Sequence, residues 1–285
     1  MDIEKSVGRG GVNKKGDVAL IQLLINLAAR SDTGQLTVDG GAGPRTVEAI
    51  EAFQRGVLNM QSPDGRVDPY GATWRALLNA SPAIAERIRL PIAVGARMAE
   101  SDYQRAATSL ACEVAAIKAV AAVESAGDGF FTSGRPKILF EAHVFSKRTH
   151  HKYDKAFPDI SSAKWNRSLY KGGEKEYDRL LKAMIVDRAA GLSSASWGRF
   201  QIMGFNHAAA GVPTLEAFIT AMFTSEGAQL DAVVAFLKST HLDNALKNKD
   251  WKKFAAGYNG PGYAEHQYDV KLKAAYERAS AVAKK

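Results

Sequence analysis

The stretch that most constrains this chain is residues 114–131, an alanine-rich apolar segment that ends in a carboxylate and continues into a glycine-rich turn. Val114, Ile117, Val120 or Ala121, and Glu124 recur at spacings of three and four, so they share one face of a predicted helix. Burial of that face would place Glu124 in apolar surroundings, beside the partial negative charge of the helix C-terminus. Both effects raise the pKa of a carboxyl group and favour a proton donor near neutral pH. A helix-end glutamate that points into water fits the same spacing.

Composition restricts the class of protein. At 285 residues, with 46% hydrophobic and 24% charged residues, the chain is typical of a globular protein with two domains. It contains no apolar run of about 20 residues and no signal-peptide pattern, so we expect it to be made in the cytosol and to stay there unless something else releases it. The one cysteine, Cys112, excludes an internal disulfide and a multi-cysteine metal site and is expected to be a small core residue.

The net charge of +8 is unevenly distributed. Residues 1–80 carry nine Lys or Arg and nine Asp or Glu, whereas residues 81–285 carry 29 and 21. A basic second part is typical of proteins with a polyanionic partner such as nucleic acid, an anionic membrane or an anionic cell-wall polymer. The sequence contains no recognised nucleic-acid-binding motif, so we expect no nucleic-acid partner.

A short internal repeat organises the first 79 residues. Each copy has Asp-Gly, a short spacer, a proline, and then a threonine followed by a helix; the copies begin at Asp39-Gly40 and Asp64-Gly65. With the apolar helix predicted after Asp17, they predict a small three-helix bundle.

The repeat resembles the type 1 peptidoglycan-binding domain, in the run from Asp39-Gly40 through Thr46 to Phe53-Gln54 and in its later echo. The resemblance implies a non-catalytic module over residues 1–80 that binds bacterial cell wall. Individually, Asp39, Gly40 and Thr46 are expected to be turn and cap residues. We expect a linker at 81–95 and a second domain at 96–285.

The second domain is predicted to be mostly helical, with one segment of ambiguous period at 136–146 that allows either a strand or a short helix. A small-residue loop is expected to enter a helix near 193–206, and a polar and aromatic loop is expected at 255–263. The predicted helices cover residues 100–110, 114–124, 175–190, 215–239, 249–256 and 269–283.

Dispersed motifs in this part resemble goose-type lysozymes and lytic transglycosylases, and more narrowly the N-acetylmuramidase domain of phage endolysins. The motifs are Glu124-Ser125 at a helix end, Phe140-Glu141-x-His143, Gly198-x-Phe200-Gln201-Ile202 and Tyr258-Asn259-Gly260. The resemblance covers roughly residues 95–280. It implies a mainly α protein with a larger lysozyme-like domain that has a minor β element. It also implies cleavage of the β-1,4 bond between N-acetylmuramic acid and N-acetylglucosamine, with Glu124 as general acid and release from the cytosol through a separate pore.

The second catalytic carboxylate is expected to be Glu141, which would hold a water or stabilise the oxocarbenium-like transition state. The structural alternative is a buried glutamate paired with Arg135, Lys137 or His143. Asp128 and Glu174 are weaker candidates for the same role. If no second carboxylate faces Glu124, the reaction can instead be that of a lytic transglycosylase, which produces anhydro-muramic ends.

Polar and aromatic side chains from three motifs are expected to bind the sugar: Ser125, Gln201, Tyr258, Asn259 and Phe200. For Trp197 and Phe200, core packing is the favoured alternative.

The spacing of the six histidines fits no zinc signature, so we expect no metal and no cofactor. A basic helix over 271–285 suggests the hypothesis of a weak contact with anionic lipid or lipopolysaccharide. Such a tail is more often a solvated closing helix. The chain is expected to be a monomer, and a non-enzymatic wall-binding or virion protein is the remaining alternative.

Overall fold

The computed structural model describes residues 1–29, 34–124 and 127–282, and for Glu124 it describes the backbone only. Within these residues the chain forms fourteen α-helices and five short strands, which confirms the predicted mainly α, lysozyme-like class. The chain divides into two compact units. The first unit combines residues 1–90 with 140–194, and the second combines 91–139 with 195–285. This division differs from the predicted boundaries, because residues 140–194 pack with the N-terminal ninety residues.

The first ninety residues form a small helical bundle with a two-stranded antiparallel sheet, in which Val7 pairs with Val67. Its interior is formed by fully buried side chains that include Leu20, Ile50 and Trp74. The elements are β1 (Val7–Gly8), α1 (Lys15–Ala28), α2 (Pro44–Leu58), β2 (Arg66–Val67), α3 (Ala72–Asn79) and α4 (Pro82–Ile88).

Two buried glutamines hold the two copies of the internal repeat in equivalent ways. In the first copy, Gln22 Nε2 donates to Asp39 Oδ1 at 3.0 Å and to Thr46 Oγ1 at 3.2 Å, while its Oε1 accepts from the Gly40 amide at 3.0 Å. Gly40 has φ +78, a conformation that glycine adopts without strain. Asp39 and Gly40 therefore form a turn that is fixed by a core amide, as expected. Thr46 lies in the first turn of α2 and is not its cap, because the N-cap residue is Gly43.

Gln54 repeats this arrangement in the second copy. Its Nε2 donates to Asp64 Oδ1 at 2.6 Å and to Thr73 Oγ1 at 3.1 Å, and its Oε1 accepts from the Gly65 amide at 3.0 Å. The side chain is 1% exposed. The aspartate, glycine and threonine shared by the two sequence motifs are thus the partners of one glutamine in each copy.

We expect Gln54→Ala to lower the free energy of unfolding by about 1–3 kcal/mol, because it leaves buried polar partners without hydrogen bonds. Chemical denaturation of the full chain measures the change. The matched control is Gln61→Ala, in which the replaced side chain is exposed. Equal unfolding midpoints for the two variants would contradict this role of Gln54.

Residues 140–194 complete the first unit. The helix predicted over 175–190 is broken at Asp187, which has extended backbone (φ −152) and caps the next helix by accepting from the Ala190 amide at 2.9 Å. Lys182 links this part to the N-terminal bundle: its Nζ lies 2.7 Å from Asp159 Oδ2 and 3.5 Å from Asp17 Oδ1. The helices are α7 (Ala142–Arg148), α8 (Glu176–Val186) and α9 (Arg188–Ser193), with two short 3-10 turns before α8.

The second unit contains a three-stranded sheet in the order β3-β4-β5 and seven helices. The helix predicted over 215–239 is broken at Ser225, whose backbone is extended and whose side chain accepts from the Ala228 amide at 3.0 Å. The elements are α5 (Glu100–Leu110), α6 (Val114–Glu124), β3 (Ile138–Phe140), β4 (Ala195–Trp197), β5 (Ile202–Met203), α10 (Leu215–Thr224), α11 (Glu226–Ser239), α12 (Asp243–Lys247), α13 (Trp251–Asn259) and α14 (Tyr268–Val282).

Helix α6 is the core of the second unit and packs against α5 and α14. Ile117, Val120 and Ala121 are at most 2% exposed, so the predicted apolar face is buried up to the last turn. Leu272 and Ala275 of α14 are also buried, while Lys271 and Lys273 are exposed. Among the described residues no single helix has the length and hydropathy of a membrane span; α5 and α6 pass that test only when joined across a 112° bend.

Candidate functional site

Glu124 is the last residue of α6, where the sequence predicted it. Its side chain and Ser125 lie outside the described residues, so the expected burial of this carboxyl group and the expected role of Ser125 stay predictions. The chain is described again from Gly127, which has φ +95, a left-handed conformation that favours glycine. Residues 127–129, called the glycine turn below, therefore begin with a left-handed glycine, and their contacts define how this segment is held.

Glu226 anchors that turn from the N-terminus of α11. Its carboxylate accepts from the Gly129 amide at 2.5 Å and from the Met98 amide at 3.1 Å, and Arg199 Nη1 lies 3.2 Å away. The residue is 2% exposed. This buried carboxyl group is satisfied by two backbone donors and a guanidinium partner, and it joins the glycine turn to the loop that carries Arg199.

Gln229, one turn further along α11, packs against the same two loops. Its Oε1 accepts from the Arg199 amide at 2.6 Å and its Nε2 donates to the Met222 carbonyl at 2.9 Å. A Cβ atom on Gly198 or on Gly129 would come within 2.5 Å of the Gln229 side chain. The glycine of the Gly198-x-Phe200-Gln201 motif is thus required by close packing as well as by its φ of +69.

Gln201 lies in the turn between β4 and β5. The sequence predicted a loop that enters a helix here, and this prediction is wrong. The segment forms a hairpin that is followed by a short 3-10 turn at Gly204–Asn206. Its Oε1 accepts from Ser196 Oγ at 2.6 Å and its Nε2 donates to the Gly198 carbonyl at 2.8 Å. Its φ of 52 is uncommon for a residue with a side chain, and the residue is exposed. An exposed residue held in a costly conformation is typical of functional positions.

The predicted loop at 255–263 is wrong in its first part, because α13 continues through Tyr258 and Asn259. The Tyr258 ring stacks on Phe254 at 5.5 Å between centroids, and its hydroxyl donates to the Phe200 carbonyl at 3.1 Å. Both Tyr258 and Asn259 are half-buried. These contacts extend the helix and tie its end to the Gln201 loop.

Phe200 is 3% exposed, so its ring is a core residue and offers almost no face to a sugar. This outcome corrects its inclusion among the substrate-binding residues and agrees with the packing alternative that was favoured for it. Trp197, 0% exposed, follows the same pattern.

Glu141 lies in the first unit, directly before α7, and its side chain is 16% exposed. Its Oε2 accepts from the Tyr170 hydroxyl at 2.5 Å, and His143 Nδ1 lies 3.2 Å from the same oxygen. The ion-pair partner proposed by the structural alternative is therefore present in His143, together with a phenol that the sequence analysis did not consider. The result is a partly open carboxylate with two fixed neighbours.

Tyr170 is itself fixed by charge and aromatic contacts. Burial, followed by the hydrogen bond to Glu141, raises the pKa of its hydroxyl, so the group stays protonated and donates. The Arg179 guanidinium lies over the Tyr170 ring at 5.5 Å, and it pairs with buried Glu176 at 2.7 Å. The orientation of the Glu141 carboxylate is thus set by a packed network within the first unit.

The weaker carboxylate candidates differ from Glu141. Asp128, in the second unit, forms an ion pair with Arg97, and the Arg97 hydrogen bond lowers the pKa of Asp128. Glu174 is half-buried in a 3-10 turn before α8. Neither has the phenol and imidazole neighbours of Glu141. The described residues contain no group of three His, Cys, Asp or Glu side chains placed to hold a metal ion.

Tyr170, Glu226 and Gln229 were not predicted from the sequence. Tyr170 follows an exposed tryptophan, Trp165, in an otherwise polar segment, and that aromatic pair was a signal that could have been used. Glu226 and Gln229 carry no local signal, because their partners are distant in sequence. Met98, a partner of Glu226, lies 128 residues away, and Arg199, a partner of Gln229, lies 30 residues away.

Comparison with known proteins decides the family. A family model described as N-acetylmuramidase matches residues 113–280, more than half of the chain. The chain belongs to the N-acetylmuramidase family. Family membership makes it a peptidoglycan hydrolase. The crystal structure of Burkholderia AP3 phage endolysin is similar to it, with a TM-score of 0.62 and 36% sequence identity over 98% of this chain and 99% of that one. A comparison with curated protein sequences gives no significant match.

Proposed function

We propose that the protein is an endolysin that hydrolyses the β-1,4 bond between N-acetylmuramic acid and N-acetylglucosamine in peptidoglycan. The observation that carries this proposal is the N-acetylmuramidase match over 113–280, which includes Glu124. The 36% identity to a phage endolysin along nearly the whole chain supports the endolysin role. Mass spectrometry of digested peptidoglycan tests the reaction.

Glu124 is proposed as the general acid. Cleavage of a glycosidic bond requires a proton on the leaving oxygen while the sugar becomes oxocarbenium-like. The helix dipole opposes ionisation of a carboxyl group at the C-terminus of α6, and the burial that the sequence predicts for this group would raise its pKa further. The described residues 127–129 are held by Glu226, which accepts from the Gly129 amide.

Glu141 is proposed as the second carboxylate. The Tyr170 hydroxyl and the His143 imidazole orient the Glu141 carboxyl group, and an oriented carboxylate can stabilise a developing cation or activate a water. Ser125, Gln201, Tyr258 and Asn259 stay proposed substrate-binding residues. For Gln201 the exposed position and the left-handed backbone support this role.

The alternative reaction is that of a lytic transglycosylase, which uses the same acid but lets the muramic acid hydroxyl attack the cation. The role proposed for Glu141 would favour hydrolysis, because a second oriented carboxylate is the group that activates a water. A non-enzymatic wall-binding or virion protein is the further alternative, and loss of wall cleavage on substitution of Glu124 would exclude it.

Residues 1–80 are proposed as a peptidoglycan-binding module. A cavity of about 340 Å³ lies beside the first repeat, and its lining includes Leu36, Asp39 and Arg45. A shallow site with one apolar, one acidic and one basic side chain fits a stem peptide, which carries methyl, amine and carboxylate groups.

We expect Arg45→Glu to weaken binding of the full chain to insoluble peptidoglycan by about tenfold, because a carboxylate of the stem peptide would lose its cationic partner. Co-sedimentation in the Glu124→Gln background, where cleavage does not interfere, measures binding. The control is Arg75→Glu, a change at an exposed arginine of the same module that does not line the cavity. Equal binding by both variants would remove the cavity from the wall-binding role.

The endolysin role implies accumulation in the host cytoplasm and later access to the cell wall through a separate pore. Contact of α14 with an anionic membrane or lipopolysaccharide stays a prediction, supported by exposed Lys271 and Lys273. Because Leu272 and Ala275 already pack inside the second unit, such a contact would be electrostatic and would not insert the helix. The monomeric state is also a prediction.

A further inference from the structure

Trp165 differs from the other tryptophans of the chain in its exposure. Its residue surface is 60% exposed, whereas Trp74, Trp197 and Trp251 are 2%, 0% and 9% exposed. The residues on either side, from 163 to 168, are exposed and mostly polar or charged. Trp165 is thus a single large apolar face within a polar surface, and it is not part of an apolar patch of the kind that binds another protein.

The indole packs against Tyr170, and the two rings lie 6.3 Å apart between centroids at an interplanar angle of 49°. The Tyr170 hydroxyl donates to Glu141 Oε2 at 2.5 Å. Trp165, Tyr170 and Glu141 therefore form one row, an aromatic contact followed by a hydrogen bond, with the exposed indole at one end and the carboxylate at the other.

The row is supported from below. Arg179 packs its guanidinium over the Tyr170 ring and donates to the Phe140 carbonyl at 2.8 Å. Arg179 and Phe140 are both buried. An aromatic side chain that already packs against a neighbour loses less conformational entropy when a ligand binds. An exposed aromatic ring within a polar surface is typical of a binding position, since folding alone gains little from it.

We propose that Trp165 is a platform for one N-acetylated pyranose ring of the glycan strand, in a subsite that continues through Tyr170 to Glu141. This inference rests on the proposed function, because it takes the glycan of peptidoglycan as the substrate. A pyranose ring has an apolar face of C–H groups and a rim of hydroxyl and amide groups. The indole face matches the first, and the polar residues around Trp165, with the Tyr170 and Glu141 oxygens, match the second.

Intrinsic fluorescence tests the platform directly, because Trp165 is the exposed tryptophan and the other three are buried. The full-length Glu124→Gln variant is titrated with the N-acetylglucosamine tetramer and with a peptide-free tetrasaccharide of alternating N-acetylglucosamine and N-acetylmuramic acid. We expect a saturable change in emission and loss of acrylamide quenching. Trp165→Phe in the same background should lack both signals. Ile92→Ala, which removes another exposed apolar side chain, should retain them.

Kinetics on soluble glycan in the otherwise native chain separate this inference from the proposed function. Trp165→Ala should raise KM about tenfold and change kcat less than threefold, and Trp165→Tyr should restore most of the affinity. Cleavage with an unchanged KM in Trp165→Ala, or acrylamide quenching that persists at saturating glycan, would overturn the platform and leave the proposed function standing. A fluorescence signal from a protein that cleaves no glycan would support the platform and reject the proposed function.

Discussion

Replacement of Glu124 by glutamine is expected to lower kcat for peptidoglycan cleavage by about a hundred- to ten-thousandfold, the usual contribution of a general acid. Glutamine keeps the size of the side chain but cannot deliver a proton to the leaving oxygen. KM should change little, because the proton transfer occurs only in the transition state. Release of soluble muropeptides from purified sacculi measures the rate.

The matched control is Glu277→Gln, which alters an exposed glutamate on α14. Both variants should unfold at the temperature of the native chain, so that lost activity reports chemistry and not stability. Wall cleavage by Glu124→Gln at the native rate would remove Glu124 from the mechanism. Absence of cleavage by the native chain itself would favour the non-enzymatic alternative.

Glu141→Gln is expected to lower kcat by about a hundredfold, since the amide can neither stabilise a developing cation nor activate a water. Tyr170→Phe should lower it by about tenfold, because a hydrogen bond to a charged group contributes about 1.5–3 kcal/mol. The reason is specific: the Tyr170 hydroxyl lies 2.5 Å from Glu141 Oε2 and orients the carboxylate.

A bracing role for Glu141 predicts a different result. In that case Glu141→Gln would lower the unfolding temperature, and activity would fall only with the unfolded fraction. Glu174→Gln is the control within the same unit, and Asp128→Asn tests the remaining candidate carboxylate. A large loss of kcat in either of these variants, with Glu141→Gln active, would move the second catalytic role away from Glu141.

Local pattern was sufficient to predict some helices but not their breaks. The bounds predicted for α5 and α6 agree with the structure, because in each segment the helical spacing of apolar residues stops where the chain turns. The breaks at Asp187 and Ser225 were missed, since the apolar period continues across both residues and each break depends on one side-chain cap. Helix α13 extends to Asn259 because Tyr258 stacks on Phe254 and bonds to the Phe200 carbonyl, which are tertiary contacts.

The same distinction applies to the candidate site. Glu124 and Glu141 were predicted because each is a carboxylate within an apolar run and within a recognisable motif. Glu226 and Gln229 were not predicted, because their importance depends on partners from distant loops. The unit boundaries were not predicted either: the buried Lys182, which lies between Asp159 and Asp17, joins segments that the sequence assigns to different domains.

Mass spectrometry of the sugar ends tests whether the protein hydrolyses the bond between N-acetylmuramic acid and N-acetylglucosamine. Purified peptidoglycan is digested with the native chain and with Glu124→Gln, and the soluble muropeptides are compared. Our account predicts reducing N-acetylmuramic acid ends in the native digest and almost none from the variant. Anhydro-muramic ends, or reducing N-acetylglucosamine ends, would contradict it.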